Sequence, residues 1–142
     1  MTRILVLNGP NLGRLGSREP EIYGTAGLTE VRSLLDAIDG VEAEVRQTDS
    51  ESELIGWIHE AVDARIPVIL NPAAFTHYSY ALRDACAMLQ GVAPLIEVHI
   101  SNPHAREEFR STSVISAVAS GVIAGFGING YALAAQAVLD RA

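Results

Sequence analysis

The sequence predicts an α/β fold: an open, five-stranded parallel sheet with helices on both faces. Strand and helix signals alternate along the 142 residues, with no internal repeat or low-complexity tract. The first and third strand signals are continuous apolar runs, as expected of parallel strands buried on both faces. The second alternates apolar and charged residues, the period of a half-exposed edge strand.

Residues 3–7, Arg-Ile-Leu-Val-Leu, form the first strand. The 18-residue stretch 8–25 is rich in glycine and holds two prolines; a connection that long in a compact domain is usually functional, and residues 14–25 are expected to form an active-site lid. Leu28, Val31, Leu34, Leu35 and Ile38 recur at helical spacing, and Gly40 is a suitable stop. Val41, Ala43 and Val45 then alternate with Glu42, Glu44 and Arg46. Ser50 with Glu53 reads as a capping box for a helix carrying Leu54, Ile58, Ala61 and Val62. Pro67–Leu70 is the third strand, and a helix spans about Ser79–Leu89. Leu95–Ile100 and Gly121–Phe126 are the fourth and fifth strands, and Tyr131–Arg141 the closing helix.

The length is near the modal size of a domain, so one domain over residues 1–142 is expected. Hydrophobic residues make up 49% of the chain and aromatics 6%, which calls for a core of Val, Ile, Leu and Ala. The mean hydropathy is positive, a hint that apolar surface is buried between subunits. A net charge of −7 without a basic run argues against a nucleic-acid partner. No apolar stretch approaches the roughly 20 residues that span a bilayer, and the first residues lack a signal-peptide pattern. Cys86 is the single cysteine, so no disulfide forms within the chain and a cytoplasmic location fits. All ten basic residues are arginine. Without a lysine, Schiff-base catalysis and phosphate-loop NTPase chemistry are excluded, which leaves a carbonyl substrate to be activated by Arg, Asn, His and backbone groups.

Open parallel sheets bind ligands beyond the carboxyl ends of their strands, at a topological switch point. The residues there are Asn8–Asn11 after the first strand, Asn71 after the third, and His99, Ser101 and Asn102 after the fourth. Each alone could be a turn or cap residue; three polar clusters at three strand ends converge on one place. Other motifs carry less. Gly125, Gly127 and Gly130 spell G-x-G-x-x-G, but the chain ends before the acidic residue a dinucleotide site needs, so close helix–sheet packing is the expected role. The loop at 8–13 has no hydroxyl in the turn and runs into a long loop, unlike a phosphate cradle. His59, His77, His99 and His104 lack metal-ligand spacing, so no metal is expected.

Ordered motifs run along the chain: N-G-P-N-L-G at 8–13, R-E-P at 18–20 with Y-G at 23–24, Q-T-D-S at 47–50 and I-L-N-P at 69–72. T-H at 76–77, A-L-R-D-A at 81–85, E-V-H-I-S-N at 97–102, H-A-R-E-E-F-R at 104–110 and G-V-I-A-G-F-G at 121–127 complete the set. On these motifs nearly the whole chain resembles the type II 3-dehydroquinate dehydratases. The resemblance implies a flavodoxin-like fold, anti elimination of water from 3-dehydroquinate through an enolate, no metal or cofactor, and a dodecamer built from trimers. The type I enzymes use a lysine imine, so the lysine-free composition agrees with type II.

Carried over by position, the resemblance makes Tyr23 the base and Arg18 the guanidinium that holds it partly ionised. A free tyrosine titrates near about 10, so only about one in a thousand is anionic at pH 7. Asn11 would stabilise the enolate oxygen. His99 would protonate the departing hydroxyl, with Glu97, two residues away on the same strand face, as its orienting partner. Asn71, His77, Ser101 and Arg110, with the backbone amides of Ile100 and Ser101, would bind the substrate carboxylate and hydroxyls. Arg106 either closes against the site or joins Glu107 and Glu108 on a solvated face. Asp84 would reach a neighbouring subunit's site. The segment 73–78 departs from the family: Ala73 stands where a glycine is usual, Phe75 where tyrosine is frequent, and Tyr78 where threonine is usual. Ala73 is unfavourable if its position needs positive φ. Competing readings are a binding module of the same fold, a relative acting on another β-hydroxy ketone, and a structural assembly subunit. The first would lack at least one of Arg18, Tyr23 and His99, all of which are present.

Overall fold

The computed structural model describes residues 1–17, 21 and 27–141. Its sheet has five strands, β1 (Thr2–Asn8), β2 (Val41–Gln47), β3 (Val68–Asn71), β4 (Leu95–His99) and β5 (Gly121–Ala124), all parallel in the order β2-β1-β3-β4-β5. The described α-helices are α1 (Leu28–Asp36), α2 (Glu51–Ala64), α3 (Tyr80–Ala87) and α4 (Asn129–Arg141). After β2 the chain crosses back over β1 to start β3, so the switch point lies between β1 and β3.

The two-residue period of the strands divides the core into two layers. Leu5, Leu7, Val68, Leu70 and Leu95 face α2 and α3, where they meet Leu54, Ile58, Leu82 and Cys86. Ile4, Val6, Ile69, Ile96 and Val98 face α1 and α4, against Val31, Leu35, Ala134 and Val138. The continuous apolar runs of β1 and β3 serve both layers at once. The edge strand β2 buries Val41 and leaves Glu42 and Glu44 exposed.

Local signals set the element ends. Ser50 Oγ accepts from the Glu53 amide at 3.1 Å at the start of α2, and Ser79 Oγ accepts from the Leu82 amide at 3.1 Å at the start of α3. Pro67 has no N–H and stands just before β3; its carbonyl still accepts from the Leu5 amide. Strand β3 therefore runs one residue later than the sequence suggests, and β4 one residue shorter, so that Asn71 and His99 end their strands, as Asn8 does. The expected β5 is shortened by Gly125, whose φ of 91° turns the chain and whose amide donates to the His99 carbonyl. Gly127 is likewise left-handed and donates to the Ile100 carbonyl. Of the three motif glycines only Gly130 packs helix on sheet, since a Cβ there would lie 3.4 Å from Val98 Cγ1. The other two make a turn, contrary to the packing role expected for all three. Short 3-10 turns at Ala73–His77, Pro103–Ala105, Glu108–Ser111 and Ser116–Val118 fill stretches where the sequence carries no periodic signal. No described helix is long and apolar enough to cross a membrane.

Candidate active site

The carboxyl ends of β1, β3 and β4 open onto a cleft of about 170 Å³. It is lined by Pro10, Asn11, Leu12, Asn71, Ala73, Ala74, His77, His99, Ile100, Ser101, Pro103, Arg106 and Arg110. Of the sequence-selected residues, Asn11, Asn71, His77, His99, Ile100, Ser101, Arg106 and Arg110 thus gather at one place, at the switch point. Asp84 does not: it lies exposed on α3, 72% of its side chain accessible, with its Oδ1 3.2 Å from Arg83 Nη1. Arg18 and Tyr23, with most of the expected lid, lie outside the described residues. Among the described residues no three His, Cys, Asp or Glu side chains gather as a metal site would require.

The loop after β1 is braced from two sides. Gly9 packs so close to the turn after β3 that a Cβ would stand 2.6 Å from the Pro72 carbonyl oxygen, and its amide donates to the Asn71 carbonyl at 2.8 Å. From the other side, the Gln47 amide group donates to the Gly9 carbonyl at 3.2 Å, and Asp49 Oδ1 accepts from the Asn11 amide at 2.8 Å. Residues 47–50 therefore hold the loop that presents Asn11, whose own backbone is left-handed, φ 69°.

His99 is oriented from below. Its Nε2 lies 2.5 Å from Oε2 of Glu97, which is fully buried; the two side chains share a strand face as their spacing requires. A carboxylate can only accept, so Nε2 carries the proton and the ring is fixed with its other nitrogen turned away from Glu97. Burial by itself would raise the Glu97 carboxyl. The hydrogen bond and charge of His99, with hydrogen bonds from Ser116 and Thr76, outweigh it and hold the group below the usual carboxylate value.

The remaining polar groups are fixed in a similar way. His77 Nδ1 donates to the Thr112 carbonyl at 2.7 Å. Asn71 Oδ1 accepts from the Ala73 amide at 3.1 Å, and its Nδ2 donates to the Tyr131 hydroxyl at 3.0 Å. That hydroxyl in turn donates to Asn8 Oδ1 at 2.6 Å. Arg106 Nη1 donates to Ser101 Oγ at 3.3 Å. Arg110 Nε donates to Glu107 Oε2 at 2.7 Å while its guanidinium lies 4.7 Å from the centre of the Phe109 ring, so it lines the cleft and is ion-paired as well. That hydrogen bond from Arg110 lowers the Glu107 carboxyl.

The model of a family described as dehydroquinase class II matches residues 2–139. The chain belongs to that family. A 3-dehydroquinate dehydratase of Salinispora tropica is 59% identical over 99% of both chains, and one of Kineococcus radiotolerans 58% identical over 98% of this chain and 96% of its own. Among solved structures, a type II dehydroquinase from Propionibacterium acnes matches with a TM-score of 0.89 and 53% identity over 99% of this chain and 97% of that one. Another from Butyrivibrio crossotus gives 0.93 and 41% identity over 97% of both.

Several residues beneath the cleft escaped sequence reasoning. Tyr131 is the largest, read only as the start of a helix, because a tyrosine among alanines and leucines looks like packing. Ser113 and Ser116 lie in a stretch without period, and nothing in their spacing points to Glu97, 16 and 19 residues away. Thr76 was legible only within the T-H motif. Ala73 has φ 52°, the left-handed conformation in which its methyl group is unfavourable.

Proposed function

We propose that this chain dehydrates 3-dehydroquinate to 3-dehydroshikimate by an enolate route that needs neither metal nor imine. The observation that supports it best is His99, held at a cleft on the switch point by a buried carboxylate, in a chain of the class II dehydroquinase family without lysine. Tyr23, ionised with the help of Arg18, takes the proton next to the ketone. The electron pair moves into the carbonyl, and the enolate oxygen is stabilised by Asn11. As the enolate collapses, the C–O bond of the β-hydroxyl breaks and His99 supplies the proton that makes it water. The Ile100 and Ser101 amides receive the carboxylate, while Asn71, His77, Ser101 and Arg110 bind hydroxyls. Arg106 closes over the site from the Ser101 side, and Asp84 serves a neighbouring subunit's site in a dodecamer of trimers.

One domain, residues 1–142, carries all of these groups. With a single cysteine, Cys86, buried beneath the sheet, the chain suits the reducing cytoplasm. The expected absence of a nucleic-acid partner rests on the acidic charge, and that of a membrane partner on the lack of an apolar stretch near the roughly 20 residues that span a bilayer; no helix among the described residues is long and apolar enough to cross one.

The direct test is turnover of 3-dehydroquinate, followed by absorbance of the conjugated enone, with chelator or borohydride added. Product formed at the same rate with either reagent supports the route; a folded protein that forms none overturns it in favour of a binding module. Tyr23→Phe is expected to abolish turnover and leave ligand binding largely intact.

A further inference from the structure

Besides His99, two hydroxyls donate to the Glu97 carboxylate, and a third stands behind one of them. Ser116 Oγ donates to Oε1 at 2.6 Å, and Thr76 Oγ1 donates to Oε2 at 2.7 Å. Ser113 Oγ lies 2.8 Å from Thr76 Oγ1 and 3.4 Å from Oε2. Thr76 spends its proton on the carboxylate, so the short Ser113–Thr76 contact has Ser113 as donor. Ser113 is itself fixed, since its oxygen accepts from the amides of Ile115 and Ser116 at 3.2 and 3.0 Å. The strand of chain that carries the serines is docked on the turn after β3, where the Val114 amide donates to the Thr76 carbonyl at 2.7 Å.

An isolated carboxylate at this depth would take up a proton. The titratable neighbours are His99 on the same strand and Cys86 on α3. Cys86 offers no positive charge: burial, with the negative charge of Glu97, pushes its thiol up to about 12. The hydroxyls therefore supply the donors that keep an anion under His99. None of the three lines the cleft.

We propose that Thr76, Ser113 and Ser116 are positioning residues for the dehydration: their hydroxyls hold Glu97 as an anion that accepts from His99 Nε2, and thereby favour the imidazolium whose outward Nδ1–H gives its proton to the leaving hydroxyl. The inference rests on the dehydratase reading of His99. Ser116 is the most informative position because, among the described residues, it alone holds Oε1. Hydrogen bonds to charged groups are strong enough that losing one costs about tenfold in kcat.

The test is a double-mutant cycle of Ser116→Ala with Glu97→Gln, measured as kcat and KM for 3-dehydroquinate. Ser116→Ala is expected to lower kcat about tenfold with KM nearly unchanged, Ser116→Thr to restore most of the rate, and the effect of Ser116→Ala to vanish when Glu97 is glutamine. The Glu97 side-chain carbon resonance should titrate at higher pH in Ser116→Ala than in wild type or Ser116→Thr. A loss that falls on KM, or persists in the Glu97→Gln background, or leaves the carboxyl titration in place, overturns the proposal. Thr76→Val, read in the same cycle, decides the matter if Ser116→Ala does not fold. Absence of turnover in the wild type would instead strike at the dehydratase reading itself.

Discussion

Two buried polar clusters underlie the cleft, one on each face of the sheet, and they differ in charge. On the α1 and α4 face, Asn8, Asn71 and Tyr131 form a neutral chain linking the last residues of β1 and β3. On the α2 and α3 face, Glu97 gathers Thr76, Ser113, Ser116 and His99 around one anion. The neutral cluster contains no group that changes charge near neutral pH; burial pushes the Tyr131 phenol still further from ionising. It can fix the position of the Asn71 carboxamide and little else. The charged cluster ends at a histidine facing the cleft, so it can also govern a proton. Neighbouring strands thus give one cleft a rigid wall and a chemically active one.

The largest effect expected from this contrast is on turnover. Glu97→Gln keeps the shape and removes the charge, so kcat should fall about a hundredfold, within the range of a general acid's contribution. Tyr131→Phe breaks the other cluster without touching a proton the reaction uses. Its effect should appear in unfolding measurements as a loss of about 1–3 kcal/mol, because two buried amide groups lose their partner. Any fall in turnover should appear mainly in KM. If Tyr131→Phe lowered kcat as far as Glu97→Gln does, the division of labour would be wrong.

Acid should separate the clusters again. The Glu97 carboxyl is held below its unfolded value, so its charged cluster contributes stability that is fully present above the unfolded pKa, near about 4.3, and is lost as pH falls through the lower folded value. The stability difference between wild type and Glu97→Gln should therefore shrink as pH falls below about 4. The Tyr131→Phe penalty should stay constant over the same window. Denaturant titrations at neutral and acid pH check both, and a parallel decline in the two variants would contradict the assignment of charge to one face only.

The sequence made the scaffold legible because strand period, cap residues and breakers act over a few neighbours. Ser50, Ser79 and the alternation of residues 41–46 all sit where local rules put them. The strand-end rule then found Asn71 and His99, and the two-residue period found the Glu97–His99 pair. What it could not find are partners set by tertiary packing. Tyr131 meets Asn8 across 123 positions, and Ser116 meets Glu97 across 19, with no periodicity that marks either. The Gly125 and Gly127 turn was missed for a related reason: a glycine pattern does not say whether it serves φ or packing until its neighbours are placed.

The smallest effect concerns the joint between the clusters. Ala73 follows Pro72 at the end of β3, donates to the Asn71 carboxamide, and leads into the turn that carries Thr76. Its φ of 52° costs an L-residue roughly 1–2 kcal/mol. Glycine would relieve that cost but gives the unfolded chain more freedom, worth about 0.4–1 kcal/mol in the opposite direction. Ala73→Gly should therefore stabilise the protein by up to about 1 kcal/mol, read as a higher denaturant midpoint at unchanged slope. Ala73 also lines the cleft, so substrate affinity is the property most exposed to the change, while kcat should hold because His99 and its carboxylate stand on a different strand. A destabilised variant would mean that Ala73 gains more from packing than its backbone loses. A large fall in kcat would mean that the turn after β3 transmits to Thr76, and the two clusters would then act as one.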